Sequence, residues 1–135
     1  MDEGLSLEGR SMHASKTAPG GVVNADTIFR FQQTDNLVTA EYAGGGIRRG
    51  SLVGLLSNGT LHFRYAQLQD DGRLDGGESH CEVKMDASGR VSIIEHYAWA
   101  SRPGAGTNVI SELPESRSQA PPASQEGDPA SRRAV

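Results

Sequence analysis

A chain of 135 residues suits one domain with one hydrophobic core, and its net charge of −4 offers no basic face of the kind that grips nucleic acid. Only Arg48-Arg49 pairs basic residues within the apolar part of the chain, so DNA and RNA are not expected partners. The single cysteine, Cys81, excludes an intramolecular disulfide and a cysteine-rich zinc site.

The opening residues Met1 to Gly9 carry Asp2, Glu3 and Glu8 without an apolar run and do not read as a secretory leader. The longest apolar windows are too short to cross a bilayer as helices. A cytoplasmic location without a membrane partner is therefore expected. Composition then divides the chain. From Pro114 to Val135 there is no Leu, Ile, Phe, Tyr, Trp or Met, and the segment holds four of the six prolines. It cannot bury enough apolar surface to offset its ordering entropy. The expected organisation is a flexible N-terminus over 1–6, a β domain over 7–113 and a disordered Pro/Ser/Ala-rich tail over 114–135.

Within the domain, turn signals recur at even spacing. They fall at Ala18-Pro19-Gly20-Gly21, Thr34-Asp35-Asn36, Gly44-Gly45-Gly46, Asn58-Gly59, Asp71-Gly72, Ala87-Ser88-Gly89 and Pro103-Gly104-Ala105-Gly106. Runs rich in Val, Ile, Phe, Tyr and Thr lie between them, and glycine interrupts nearly every window that a helix would need. The reading is an all-β, eight-stranded antiparallel up-and-down meander closed as a calycin-like barrel, which removes exposed edges and leaves room for one small ligand. A sandwich is the alternative arrangement of the same strands.

Turn chemistry also predicts register. A turn at Thr34-Asp35 places Phe31 beside Val38, Phe29 beside Ala40 and Thr27 beside Tyr42. A two-residue Asn58-Gly59 turn pairs Ser57 with Thr60, Leu56 with Leu61, Gly54 with Phe63 and Leu52 with Tyr65. This puts Leu52, Leu56, Leu61, Phe63 and Tyr65 inside, with Val53, Leu55, His62 and Arg64 outside. Further on, Gly77, Ser79, Cys81, Val83 and Met85 are expected inside, facing Val91, Ile93, Glu95, Tyr97 and Trp99. That leaves a single carboxylate, Glu95, among aromatic rings.

Glu95 is thus the candidate catalytic residue. Burial raises a carboxyl pKa, so Glu95 can serve as general acid or base, or anchor a polar ligand group; a satisfied structural carboxylate is the competing reading. Tyr42, Phe63, Tyr65, Tyr97 and Trp99 are candidate ligand-binding residues, since Tyr and Trp join an apolar body to a polar tip. Arg64, flanked by two inward aromatics, joins the ligand-binding candidates as a counter-ion for Glu95 if a bulge reverses its parity. By strict alternation it points outward, to pair with Glu78 or Glu82.

Other chemistries find no pattern. His13, His62, His80 and His96 lie on different strands without ligand spacing, so no metal site is expected, and no cofactor either. The stretch Gly44-Gly45-Gly46-Ile47-Arg48-Arg49-Gly50 lacks the Lys-Ser/Thr end of a phosphate loop. There is no Gly-x-Ser-x-Gly nucleophile elbow.

Several strands together carry a resemblance. Phe29 to Gln33, Asn36 to Gly45, Gly50 to Gly54, Leu61 to Tyr65 and Glu95 to Trp99 resemble small bacterial proteins labelled N-acetylglutamate synthase. The resemblance covers about residues 26–101 and implies a compact β domain of the avidin–lipocalin type, with no catalytic residues to carry over. The acetyltransferase activity in that label is not expected here. Acetyl-CoA enzymes hold the pyrophosphate with Gln/Arg-x-x-Gly-x-Gly/Ala ahead of a helix. The nearest string, Arg102-Pro103-Gly104-Ala105-Gly106, is one residue too short and runs into strand-like Val109-Ile110.

The expected function is binding of a small hydrophobic or aromatic molecule. The alternative is a small isomerase or cyclase that folds a hydrophobic metabolite and uses Glu95 as acid or base. A filled scaffold is a third reading, and a homodimer stays open.

Overall fold

The computed structural model describes residues 5–19 and 22–114. Among them, eight strands follow in chain order: β1 (Ser11–Lys16), β2 (Ile28–Thr34), β3 (Leu37–Gly44), β4 (Ile47–Ser57), β5 (Thr60–Gln69), β6 (Leu74–Met85), β7 (Val91–Trp99) and β8 (Ala105–Glu112). Each pairs antiparallel with its neighbour in sequence, and β8 returns to β1 to close the barrel. Closure satisfies the backbone groups that an open sheet would leave at its edges. No helix among these residues is long and apolar enough to cross a membrane. The expected tail lies outside the described residues beyond Pro114.

The β4–β5 hairpin follows its turn chemistry. Asn58 and Gly59 both take positive φ, 53° and 77°, as a two-residue hairpin requires. Ser57 then pairs with Thr60, Leu52 with Tyr65 and Gly54 with Phe63. The β2–β3 register departs from expectation. Asp35 adopts φ 55° and the turn is Asp35-Asn36, so Phe31 faces Ala40, Phe29 faces Tyr42 and Val38 faces Gln33. Moving the turn by one residue moves every pair by two, so each side chain keeps its face.

Alternation then fills the barrel. Phe29, Phe31, Val38, Leu52, Leu56, Leu61, Phe63, Val91, Ile93 and Ile110 are all buried in one core. Each such side chain contributes about 1.5–3 kcal/mol by leaving water. Met85 is an exception to the predicted inward set: it is 39% exposed, because it stands at the last position of β6 where the pairing ends. Leu5, assigned from sequence to the flexible N-terminus, packs against the core instead.

The two ends of the barrel differ. At the end carrying the β2–β3, β4–β5 and β6–β7 turns, the segment before β1 folds across the opening. Leu7 is fully buried, its N–H donates to Gln33 Oε1 at 2.9 Å, and Gly9 N–H donates to the Phe31 carbonyl at 3.0 Å. Arg10 binds buried Glu112 at 2.8 Å, and the same Glu112 oxygen accepts the Val91 N–H at 2.9 Å. This end is closed. At the other end the β1–β2 connection brings Val22 and Val23 against the core, and the interior becomes polar.

Candidate functional site

The polar and aromatic groups at the open end come mainly from four strands that alternate inward, with Phe29 of β2 and Leu52 of β4 also lining the well. β3 supplies Tyr42, β5 supplies Phe63, Tyr65 and Gln67, β7 supplies Glu95, Tyr97 and Trp99, and β8 supplies Asn108. Small residues across the ladder make room for the rings. Tyr42 pairs with Gly50, Phe63 with Gly54, Tyr65 with Gly77 and Tyr97 with Gly106. A Cβ at Gly50 would stand 2.3 Å from the Tyr42 ring, and one at Gly106 would stand 2.6 Å from the Tyr97 hydroxyl. The rings also brace one another edge to face, Phe63 with Tyr65 at 6.0 Å, Tyr65 with Trp99 at 5.9 Å and Tyr97 with Trp99 at 5.6 Å.

Glu95 lies at the floor of this aromatic well and is 7% exposed. Its cross-strand partners are Cys81 on β6 and Asn108 on β8. Ser79 Oγ donates to Glu95 Oε2 at 2.6 Å and Asn108 Nδ2 donates to Oε1 at 3.1 Å. Asn108 is itself oriented, because its Oδ1 accepts the Ala18 N–H at 3.1 Å. Burial pushes the Glu95 carboxyl above the ordinary carboxylate range, and the bonds from Ser79 and Asn108 only partly offset it. Across the well Tyr42 donates to Gln67 Oε1 at 2.8 Å. Burial, with the Glu95 charge adding to it, pushes the Tyr42, Tyr65 and Tyr97 hydroxyls up, so they remain neutral donors. The same two effects raise the Cys81 thiol, which leaves it un-ionised and a poor nucleophile.

The expectation of a single interior carboxylate does not hold: Asp75 and Glu112 are also buried. Each of these has a cation. Arg10 binds Glu112, and Arg102 Nε lies 3.2 Å from Asp75 Oδ2. Burial opposes ionisation of Asp75, but hydrogen bonds from Ser101 and Gln69 and the Arg102 charge prevail and hold its carboxyl below the usual range. Among the described residues no arginine or lysine is paired with Glu95.

The structure therefore brings together Glu95, Tyr42, Phe63, Tyr65, Tyr97 and Trp99, as the alternation predicts. Arg64 does not join them. Its side chain is 77% exposed and its Nε sits 3.8 Å from Glu78 Oε1, because β5 runs without a bulge between Leu61 and Gln67. The cation at the mouth is Arg102 instead, stacked over Trp99 at 4.2 Å from the ring centroid. Gln67 and Asn108 add to the candidates that the sequence offers, and continuing the inward alternation of β5 reaches Gln67 directly.

The outer face carries a cluster that spacing within a strand does not reveal. His62, Glu78 and His80 come together there, because His62 and His80 are cross-strand partners and Glu78 is two residues from His80 on the same face. Linear spacing does not reveal neighbours made by a ladder.

The well holds about 380 Å³ of space between its atoms, the solvent at its open mouth included. Val22 and Val23 form part of its wall, and Tyr65 and Trp99 stand half-buried at its mouth.

Fold and site together define a class: an eight-stranded antiparallel barrel with one sealed end and an aromatic well with a buried carboxyl at the other. The family model described as avidin-like protein matches residues 5–113, and the chain belongs to that family. The avidin–lipocalin type of barrel that the sequence resemblance implies is thereby borne out. No curated protein and no solved structure matches the chain.

Proposed function

We propose that the barrel binds a small, largely apolar ring-containing molecule in the well, with Glu95 hydrogen-bonding a polar group of it. The observation that carries this reading is Glu95 itself: a carboxyl buried without a cation beneath neutral tyrosine hydroxyls. A carboxyl kept only for stability is better served by the pairing that Asp75 and Glu112 have. A ligand donor reaching Glu95 would supply the missing partner, while Tyr65, Tyr97 and Trp99 would cover its apolar surface.

Val22 and Val23 line the well, so a ligand that needs more room displaces them. Val22 and Val23 sit on a connection between strands rather than in the ladder, so displacing them breaks no strand pairing. Connecting segments on a rigid scaffold are more mobile than the strands they join.

Native mass spectrometry of the chain isolated from its own source, alongside the Glu95→Gln variant, tests the reading. A small molecule retained by the parent and lost or weakened in the variant is the expected result. Retention that is equal in both would remove Glu95 from the site, and a parent free of any molecule under gentle release would count against binding.

A further inference from the structure

The outer face of the β5–β6 ladder holds a group of side chains that the well does not use. His62 on β5 stands opposite His80 on β6, and the two imidazoles stack with centroids 4.2 Å apart and planes 12° from parallel. Both turn Nε2 toward one oxygen of Glu78: His62 Nε2 lies 2.9 Å from Glu78 Oε2 and His80 Nε2 lies 3.1 Å from it. The other oxygen, Oε1, faces Arg64 at 3.8 Å. One carboxylate oxygen and two imidazole nitrogens thus converge on one point at the barrel surface.

We propose that His62, Glu78 and His80 bind a divalent transition-metal ion, with zinc the best fit. The three ligand atoms lie within 4.8 Å of one another. An ion held at about 2.0–2.1 Å by each of three tetrahedral ligands sets those ligands about 3.3 Å apart. The two His–Glu separations already fall close to that edge length, and the ion is received when the imidazoles turn out of their stacked arrangement so that both Nε2 lone pairs meet it. Two nitrogens and one oxygen are a borderline donor set that favours Zn²⁺ over Mg²⁺ or Ca²⁺, which require oxygen cages. With three protein ligands on an exposed face, the fourth position falls to water, as in open zinc sites. Arg64 lies beyond hydrogen-bond distance, 3.8 Å from the other Glu78 oxygen, and leaves Oε2 to the ion.

The row continues beyond the site, which supplies an internal control. His96 on β7 is the cross-strand partner of His80, but its Nε2 points to Glu82 at 3.3 Å and is not among the converging ligands. The site is also separate from the well, because Glu78 and His80 flank the inward-facing Ser79 on β6. Failure of the ligand proposal leaves it untouched.

Isothermal titration of the chelator-treated full chain with zinc chloride is the test, with His62→Gln, His80→Gln and His96→Gln variants whose melting temperatures match the parent. The parent is expected to bind one zinc ion. Removing His62 or His80 should weaken binding by at least about tenfold, since even losing a group that only orients a ligand costs about 10–100-fold. His96→Gln should leave the affinity within about twofold, an order-of-magnitude criterion well below a lost ligand. Nitrogen-detected NMR of the imidazoles should show Nε2 of both His62 and His80 shifting on zinc addition, with Nδ1 carrying the proton. Absence of saturable zinc binding, binding that survives loss of either His62 or His80, or equal weakening by His96→Gln would overturn the proposal.

Discussion

Tyr65 rests against Gly77, its cross-strand partner, so closely that a Cβ on Gly77 would stand 2.7 Å from the Tyr65 hydroxyl and 2.2 Å from the Ala98 carbonyl. The second contact is to backbone and cannot be relieved by a rotamer change. Gly77→Ala should therefore destabilise the barrel by about 1–3 kcal/mol through overpacking. Chemical denaturation followed by Trp99 fluorescence measures it, and an unchanged midpoint would mean that β6 yields more easily than its ladder implies.

The sealed end rests on Arg10 and Glu112. Glu112 is buried, and Arg10 is its only bonded cation among the described residues. Arg10→Met should leave that carboxylate uncompensated and cost about 3–5 kcal/mol, the usual penalty for breaking a buried pair. Replacing both, Arg10→Met with Glu112→Leu, should recover much of the loss. Urea melts of the single and double variants give the comparison; equal losses in the two would show that packing, not the pair, holds this end.

Much of this was legible in the sequence because barrel strands obey a period of two. Asn58-Gly59 sets one hairpin to the residue, and parity, with small Gly77 and Ser79 opposite the large rings, places Glu95, Tyr97 and Trp99 on the inner face. Parity also survived the misplaced turn at Asp35-Asn36, since a shift of two keeps faces. What parity does not govern was missed. Arg102 lies past the end of β7, where alternation assigns no direction, while Arg64 faces outward as strict alternation predicts, with no bulge to make it a counter-ion for Glu95. The His62–Glu78–His80 group needed the relative register of two strands and not the spacing within one.

Arg102 links the mouth of the well to Asp75, and this gives a pH prediction. The folded Asp75 carboxyl is held low, so its contribution is present above the unfolded value and is lost as pH falls through the folded one. Arg102→Met removes one of the groups that lower it, which raises the folded value and shrinks that contribution. Acid unfolding should then begin at a higher pH in the variant. It should also shift Trp99 emission at neutral pH, because the guanidinium over the ring is gone. A coincident acid transition would show that Ser101 and Gln69 suffice for Asp75.

Glu95 is buried without a cation among the described residues, and a pair of thermal melts tests this most directly. A carboxyl whose folded pKa is raised binds its proton more tightly in the native state, so the parent loses stability as pH rises from about 4.3 through the folded value. Gln at this position does not titrate. Its carbonyl can accept from Asn108 and its amide can donate to Ser79 Oγ, so the polar contacts are kept. The melting temperature of Glu95→Gln minus that of the parent, measured without ligand at pH 5 and pH 8, should therefore move in favour of the variant at the higher pH. A difference that moves against the variant at pH 8 would mean that the Glu95 charge is stabilised in the fold, and would contradict the site as described.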